Sequence, residues 1–248
     1  MQTVSYQTRR SELETYFDRT AAEAWSRLTS DAPVGRIRAT VRAGRERMRA
    51  TLLDWLPQDL RGRRLLDAGC GTGALSIEAA RRGAEVIAID LSPTLVQLAE
   101  ERRPVDLAPG TIDYRVGDMT DPALGRFDHV VAMDSLIHYR TDDMVAALEL
   151  LAVHCGSSLL FTFAPSTPPL AMMHAVGRLF PRGDRAPAIE PQRESELRRR
   201  LGRAPGLCGW SAGRSQRIAS GFYTSNALEL KRGSLSHCKF RMEDKRQP

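Results

Sequence analysis

A chain of 248 residues, with 42% hydrophobic, 6% aromatic and 27% charged side chains, is long enough to bury a sizeable core and too apolar to stay disordered. Its net charge of +6 and isoelectric point near 9.5 come from arginine, since Lys231, Lys239 and Lys245 are the only lysines, and the interleaved acids speak for a solvated surface rather than a nucleic-acid stripe. No apolar run approaches the roughly 18 residues of a membrane helix, "MQTVSYQTRRSELE" lacks the hydrophobic centre of a signal peptide, and Cys70, Cys155, Cys208 and Cys238 form no C-x-x-C pair. A cytoplasmic, reducing location is expected, with no support for a disulfide framework or a zinc site.

Ser11 and Glu14 form a capping-box pattern, and Leu13, Phe17, Ala21, Ala24 and Leu28 then recur at helical spacing, which predicts an amphipathic helix ahead of the main body. A second helix is predicted over about 36–56, with Ile37, Val41, Met48, Leu52 and Trp55 on one side and Pro57 as its stop. Short β-type runs then alternate with helical ones. Strands are predicted at 63–68, 85–90, 112–117, 127–134 and 157–164, with helices in "GALSIEAARRG" and "SPTLVQLAEERR" and a polar turn around 118–126. Such alternation implies right-handed βαβ crossovers and a parallel sheet covered on both faces, whose ligands sit at the carboxyl ends of the strands.

The proline-rich stretch 165–206 interrupts this alternation and reads as an insertion, with helix over 169–180 and 192–202. "CGWSAGRSQRIAS" and "GFYTSNALELKR" read as a terminal antiparallel hairpin turning at Gly221, followed by a loose tail over 233–248. The organisation is therefore a helical arm at 1–60, a body at 61–232 that contains the insertion, and a tail.

"LLDAGCGTGALS" is a strand, a glycine-rich turn and a helix start, a combination that lets a ligand approach the backbone and meet unpaired N–H groups. Gly69, Gly71 and Ala74 also satisfy G-x-G-x-x-A, so the glycines alone leave a nicotinamide dinucleotide open. Asp67 argues against it. An acid two residues before Gly69 would repel a pyrophosphate and suits an amino group. Asp90 ends the next strand, 21 residues after Gly69, where its carboxylate can accept both hydroxyls of a ribose. Singly, Asp67, Asp90 and Asp118 would each serve equally well as a cap or turn residue; jointly with the glycines they mark a nucleoside site.

The run Asp-x-Gly-x-Gly-x-Gly, with "GDM" after the third strand, resembles class I S-adenosylmethionine methyltransferases. That resemblance implies a Rossmann-like, seven-stranded, mostly parallel α/β sheet with helices on both faces. It implies S-adenosyl-L-methionine held by Asp67, Ala68, Gly69, Gly71, Thr72, Asp90, Leu91, Asp118, Met119, Met133, Asp134 and Ser135, with Asp118 taking the adenine amine and Met119 covering its ring. "AMDSLIHYR", "FTFAP", "RLFPRGDRAPAI" and "RIASGFYTSNALELKR", with "YFDRTAAEAW" and "RATVRAGRERMRATLLDWLP" before them, resemble the magnesium-protoporphyrin IX O-methyltransferases of bacteriochlorophyll biosynthesis over residues 10–232.

The closer resemblance implies methyl transfer to the C-ring propionate of magnesium protoporphyrin IX, with His138 facing the acceptor and Tyr16 opposite it, and the arm acting as a lid. Tyr139 is expected at the substrate or in support of the arm. Met172 and Phe180 offer apolar surface to the macrocycle, Arg182 and Arg185 pair with its second propionate, and His174 reaches the magnesium of the substrate; no protein metal site is implied. Transient contact with magnesium chelatase and a place at the periphery of the photosynthetic membrane are further expectations. A class I methyltransferase acting on another acceptor, such as a quinone precursor, shares the cofactor site, and a non-catalytic binding module is opposed only by His138. The absence of an N-P-P-Y-type motif after strand four lowers a nucleic-acid acceptor.

Overall fold

The computed structural model describes residues 3–20, 35–166 and 188–233. Seven strands, β1 (Arg64–Ala68), β2 (Glu85–Asp90), β3 (Thr111–Val116), β4 (Phe127–Ala132), β5 (Cys155–Phe163), β6 (Trp210–Ser220) and β7 (Tyr223–Arg232), form one sheet in the order β3-β2-β1-β4-β5-β7-β6. The first five pair in parallel, and β7 and β6 add an antiparallel edge. From β1 the chain winds outward to β3 and then returns to the other side of β1, so a crevice opens between the carboxyl ends of β1 and β4.

The described helices are α1 (Val4–Thr15), α2 (Arg36–Trp55), α3 (Ala74–Arg81), α4 (Pro93–Glu101), α5 (Thr141–His154) and α6 (Glu194–Leu201). Alternation along each strand decides which helices it meets. Leu65, Val131 and Leu160 pack with Met48 and Leu52 of α2, Ala79 of α3 and Val96 of α4. Their neighbours Leu66, Val130 and Leu159 pack with Met144, Leu148 and Leu151 of α5, Leu197 of α6, and Tyr6 and Leu13 of α1. Burial on both faces is why these strands read as unbroken apolar runs.

The structure corrects the arm. Thr3, not Ser11, caps α1, its Oγ1 accepting the Tyr6 N–H at 3.1 Å. Ser11 lies inside the helix and its hydroxyl donates to the Gln7 carbonyl at 3.3 Å, so it makes no capping box with Glu14. After Thr15 the helix widens into a π turn over Tyr16–Thr20; Ala21, Ala24 and Leu28 lie outside the described residues. In α2, Met48 and Leu52 are buried as expected, whereas Ile37 is 58% exposed. Helix α5, the crossover between β4 and β5, was not assigned from the sequence. The hairpin turns at Gly221 and Phe222, and Gly221 has φ 56°. The predicted helix at 169–180 and the tail beyond Gly233 lie outside the described residues. Cys70 and Cys155 are free thiols, and Cys208 is disulfide-bonded, which the cysteine spacing did not announce.

Candidate active site

The turn after β1 needs its glycines for two separate reasons. Gly69, Gly71 and Gly73 have φ of 84°, 54° and 77°, in the left-handed region, and a Cβ on Gly69 would come within 2.4 Å of the Ser135 Cβ. Helix α3 starts directly after this turn. Asp90, at the end of β2, braces it from the side: one carboxylate oxygen accepts the Gly71 N–H at 2.9 Å and the other the Ser92 N–H at 3.0 Å. Burial pushes the Asp90 carboxyl above its ordinary range, against the pull of those N–H groups. Asp67 is buried beneath the turn and accepts the Ser76 hydroxyl at 2.6 Å. Burial raises its pKa to about 7, opposed by the Ser76 hydrogen bond and reinforced by the charge of Asp90.

These groups border a cavity of about 290 Å³ at the carboxyl end of the sheet. Of the predicted residues, Asp67, Gly69, Gly71, Thr72, Asp90 and Leu91 line it from β1 and β2, and Asp118 and Met119 line it from the end of β3. Met133, Asp134, Ser135, His138 and Tyr139 close it from beyond β4. Ala68 is fully buried in β1 and is not part of the wall. Met172, His174, Phe180, Arg182 and Arg185 lie outside the described residues.

His138 ends a 3-10 turn over Leu136–His138 and is buried. Its Nδ1 lies 3.4 Å from the Ala188 carbonyl; with a proton on Nδ1 directed there, Nε2 carries the lone pair. The aromatic ring that meets it edge-on, at 5.8 Å between centroids, is that of Phe17. Tyr16, expected opposite His138, is half-buried, stands edge-on to Phe17 at 5.2 Å, and does not belong to the cavity wall. The π turn that displaces the helix register here had no signature in the periodicity.

Further arm residues reach the site. Tyr6 stacks on Tyr139 at 4.8 Å and donates its hydroxyl to Asp118 at 3.2 Å, while Arg10, one turn on, pairs with the same carboxylate at 2.9 Å. The N–H and hydroxyl of Thr120 also reach Asp118, at 2.8 and 2.7 Å, so the acid expected at the adenine also anchors the arm. The capping pattern at Ser11 and Glu14 places the helix start beyond Tyr6 and Arg10, so the sequence pattern does not mark these two. Arg45 of α2 pairs with Asp134 at 2.6 Å, and Arg42 and Arg49 line the cavity beside it. Their spacing at 42, 45 and 49 is that of one helix face, a pattern the sequence carries beside the apolar positions of the same helix.

The donor set fits a cationic nucleoside: three carboxylates at three strand ends, a glycine turn opening a helix, and the buried Ser135 Oγ, which has no hydrogen-bond partner among the described residues.

Comparison with known proteins agrees with this arrangement. Residues 132–232 match the family described as magnesium-protoporphyrin IX methyltransferase C-terminus, and residues 65–156 match a methyltransferase domain. The magnesium-protoporphyrin O-methyltransferase of Rhodobacter capsulatus is 48% identical over 223 residues, covering 90% of this chain and 96% of that protein. The crystal structure of magnesium protoporphyrin IX methyltransferase from Synechocystis PCC 6803 with bound SAH superposes with a TM-score of 0.79 at 30% identity, covering 90% of this chain and 100% of that one. A ubiquinone biosynthesis O-methyltransferase of Xanthomonas oryzae pv. oryzae is 37% identical, but over only 50% of this chain and 55% of its own. With likeness running through cofactor half and acceptor half alike, the chain belongs to the magnesium-protoporphyrin O-methyltransferase family.

Proposed function

We propose that this chain transfers the methyl group of S-adenosyl-L-methionine to the C-ring propionate carboxylate of magnesium protoporphyrin IX, giving the monomethyl ester and S-adenosylhomocysteine. The observation that carries this reading is the meeting, in one cavity, of the strand-end acids Asp67, Asp90 and Asp118 with His138 beyond β4. When bound, the cofactor supplies an electrophilic methyl group on a sulfonium. Asp90 takes the ribose hydroxyls, Asp118 and Met119 the adenine, and Asp67, with Ser135, faces the methionine end; Gly69, Gly71, Thr72, Leu91, Met133 and Asp134 complete the wall, with Ala68 buried behind it in β1.

A propionate is ionised near neutral pH, so the chain has no need of a strong base. What remains is to hold an oxygen in line with the methyl carbon and to exclude the water that would solvate it. His138 orients the acceptor carboxylate through Nε2 or removes a residual proton, and Tyr16, beside Phe17 on the π turn, donates the complementary hydrogen bond as the arm closes. A cavity of about 290 Å³ suits the cofactor and the reacting group. The macrocycle therefore needs the arm (1–60) and the insertion (165–206), where Met172 and Phe180 would cover it, Arg182 and Arg185 meet its second propionate and His174 reach its magnesium, while Tyr139, stacked on Tyr6, supports the arm.

Transfer of this flat, apolar substrate by transient contact with magnesium chelatase, in the cytoplasm or at the periphery of the photosynthetic membrane, belongs to the same proposal. Among the described residues no helix is long and apolar enough to cross a membrane. The second reading, a quinone-type acceptor, draws on the ubiquinone-pathway relative, whose likeness stops at half the chain. Incubation with S-adenosylmethionine and magnesium protoporphyrin IX, followed by mass spectrometry, tests the proposal. One added methyl group that base hydrolysis removes is expected; cofactor binding without that product would transfer the search to other flat acceptors.

A further inference from the structure

Asp134 is the one non-glycine residue with positive φ among the described residues, at 55°. It directly follows Met133 at the mouth of the crevice, and its side chain is 6% exposed. Its backbone N–H donates to Thr162 Oγ1 of β5 at 2.7 Å, and that hydroxyl lies 3.2 Å from its carboxylate. Arg45 of α2 donates to the second carboxylate oxygen at 2.6 Å, and the hydroxyl of Tyr223, the first residue of β7, lies 3.1 and 3.2 Å from the two oxygens. Burial and the charge of Asp134 hold the Tyr223 hydroxyl protonated, so it donates to the Asp134 carboxylate.

Packing explains how a strand two places from β4 reaches this point. A Cβ on Gly44 of α2 would come within 2.5 Å of Tyr223 Cδ1, and one on Gly221 within 2.3 Å of Thr40 Oγ1. Missing side chains at these two positions let α2 lie directly on the hairpin, with the Tyr223 ring beneath it and its hydroxyl on Asp134. Four residues downstream of Asp134 stands His138, and one residue downstream Ser135 packs against Gly69.

We infer that Arg45, Asp134 and Tyr223 form a positioning cluster that fixes the turn 134–138, and with it Ser135 and His138, in reactive geometry. The C-terminal hairpin is then a working part of the active site. Arg45 also neutralises a carboxylate that would otherwise repel an anionic acceptor approaching the same wall. This rests on the methyl-transfer reading, with Asp134 addressing the cofactor through its backbone rather than its carboxylate.

The test compares Tyr223→Phe, Asp134→Asn, the double variant and Arg45→Lys with the unmodified protein, in kcat, in KM for magnesium protoporphyrin and in Kd for S-adenosylmethionine. Tyr223→Phe keeps the ring that α2 packs on and is expected to lower kcat about tenfold, less than the roughly hundredfold of a 1 Å misplacement, with KM and Kd within about twofold. Because the cluster acts as a unit, the double variant is expected to be no slower than Asp134→Asn alone. An unchanged kcat in Tyr223→Phe, a cofactor affinity that falls in step with kcat, or single losses that multiply would each overturn the inference. An inactive unmodified protein refutes the methyl-transfer reading, and the cluster's role with it; an active one matched by its Tyr223→Phe variant refutes the cluster alone.

Discussion

Replacing Asp67 by asparagine isolates what it costs to keep a buried carboxylate under the cofactor. In the folded, cofactor-free protein Asp67 holds its proton up to about pH 7, whereas the unfolded chain releases it near the ordinary 3.8. The folded state therefore binds more protons between these values, and stability falls as pH rises through that window, by about 4 kcal/mol in all. Above pH 7 both states are ionised and the loss is constant. Asparagine keeps the shape and the acceptor for Ser76 but carries no charge; the hydrogen bond weakens by about 1 kcal/mol on losing its charged partner. At pH 8 the variant should then be about 3 kcal/mol more stable than the unmodified protein, and at pH 5 only about 1 kcal/mol or less. Urea midpoints of the cofactor-free proteins at the two pH values read this directly. Calorimetry should show the converse for S-adenosylmethionine, whose binding loses a countercharge. Equal midpoint shifts at pH 5 and pH 8, or a variant less stable at pH 8, would refute the reasoning, because either result means that the buried charge is not what the substitution removes.

Gly69→Ala places a methyl group within 2.4 Å of Ser135 Cβ at a φ of 84°, so the turn must move; cofactor affinity measured by calorimetry should drop by at least about a hundredfold. Asp90→Ala should weaken cofactor binding about a hundredfold. His138→Ala should leave that affinity within about twofold and lower kcat by roughly two orders of magnitude; equal losses of affinity in both would contradict the division of labour. Arg10→Ala removes a partly exposed ion pair on Asp118, worth about 1 kcal/mol or less. Chymotrypsin should then cut α1 up to about fivefold faster while cofactor affinity holds, and an unchanged cleavage rate would show that the pair does not secure the arm.

Much of the fold was legible because its signals are local. The strand 85–90 coincides with β2, and the hairpin strands fall within two residues of their predicted ends, since β-branched and aliphatic runs bounded by glycine or polar turns leave little choice of conformation. Helix α1 was misplaced because Ser11 and Glu14 carry a local capping pattern whose hydroxyl a helix interior can satisfy equally well at the Gln7 carbonyl. Helix α5, rich in alanine and leucine, passed unassigned because a helix buried along much of its length shows little amphipathic contrast. In the site, the glycines and strand-end acids were readable by spacing from β1, whereas Tyr6, Arg10, Arg45 and Tyr223 arrive from elements far off in sequence.

By itself the sequence determined the glycine turn, the order of acids at successive strand ends and the alternation that makes a parallel sheet, all of which depend on backbone conformation and on residues close along the chain. The tertiary structure alone decided which arm residues touch the cavity, that Phe17 rather than Tyr16 meets the His138 ring, and that Tyr223 reaches Asp134 across the sheet. These depend on how closely elements approach, which missing side chains at Gly44 and Gly221 control. They depend equally on buried charges finding partners across long sequence separations, as Asp118 does with Arg10 and Asp134 with Arg45. Desolvation makes such pairings necessary but leaves their partners unnamed until the chain is folded.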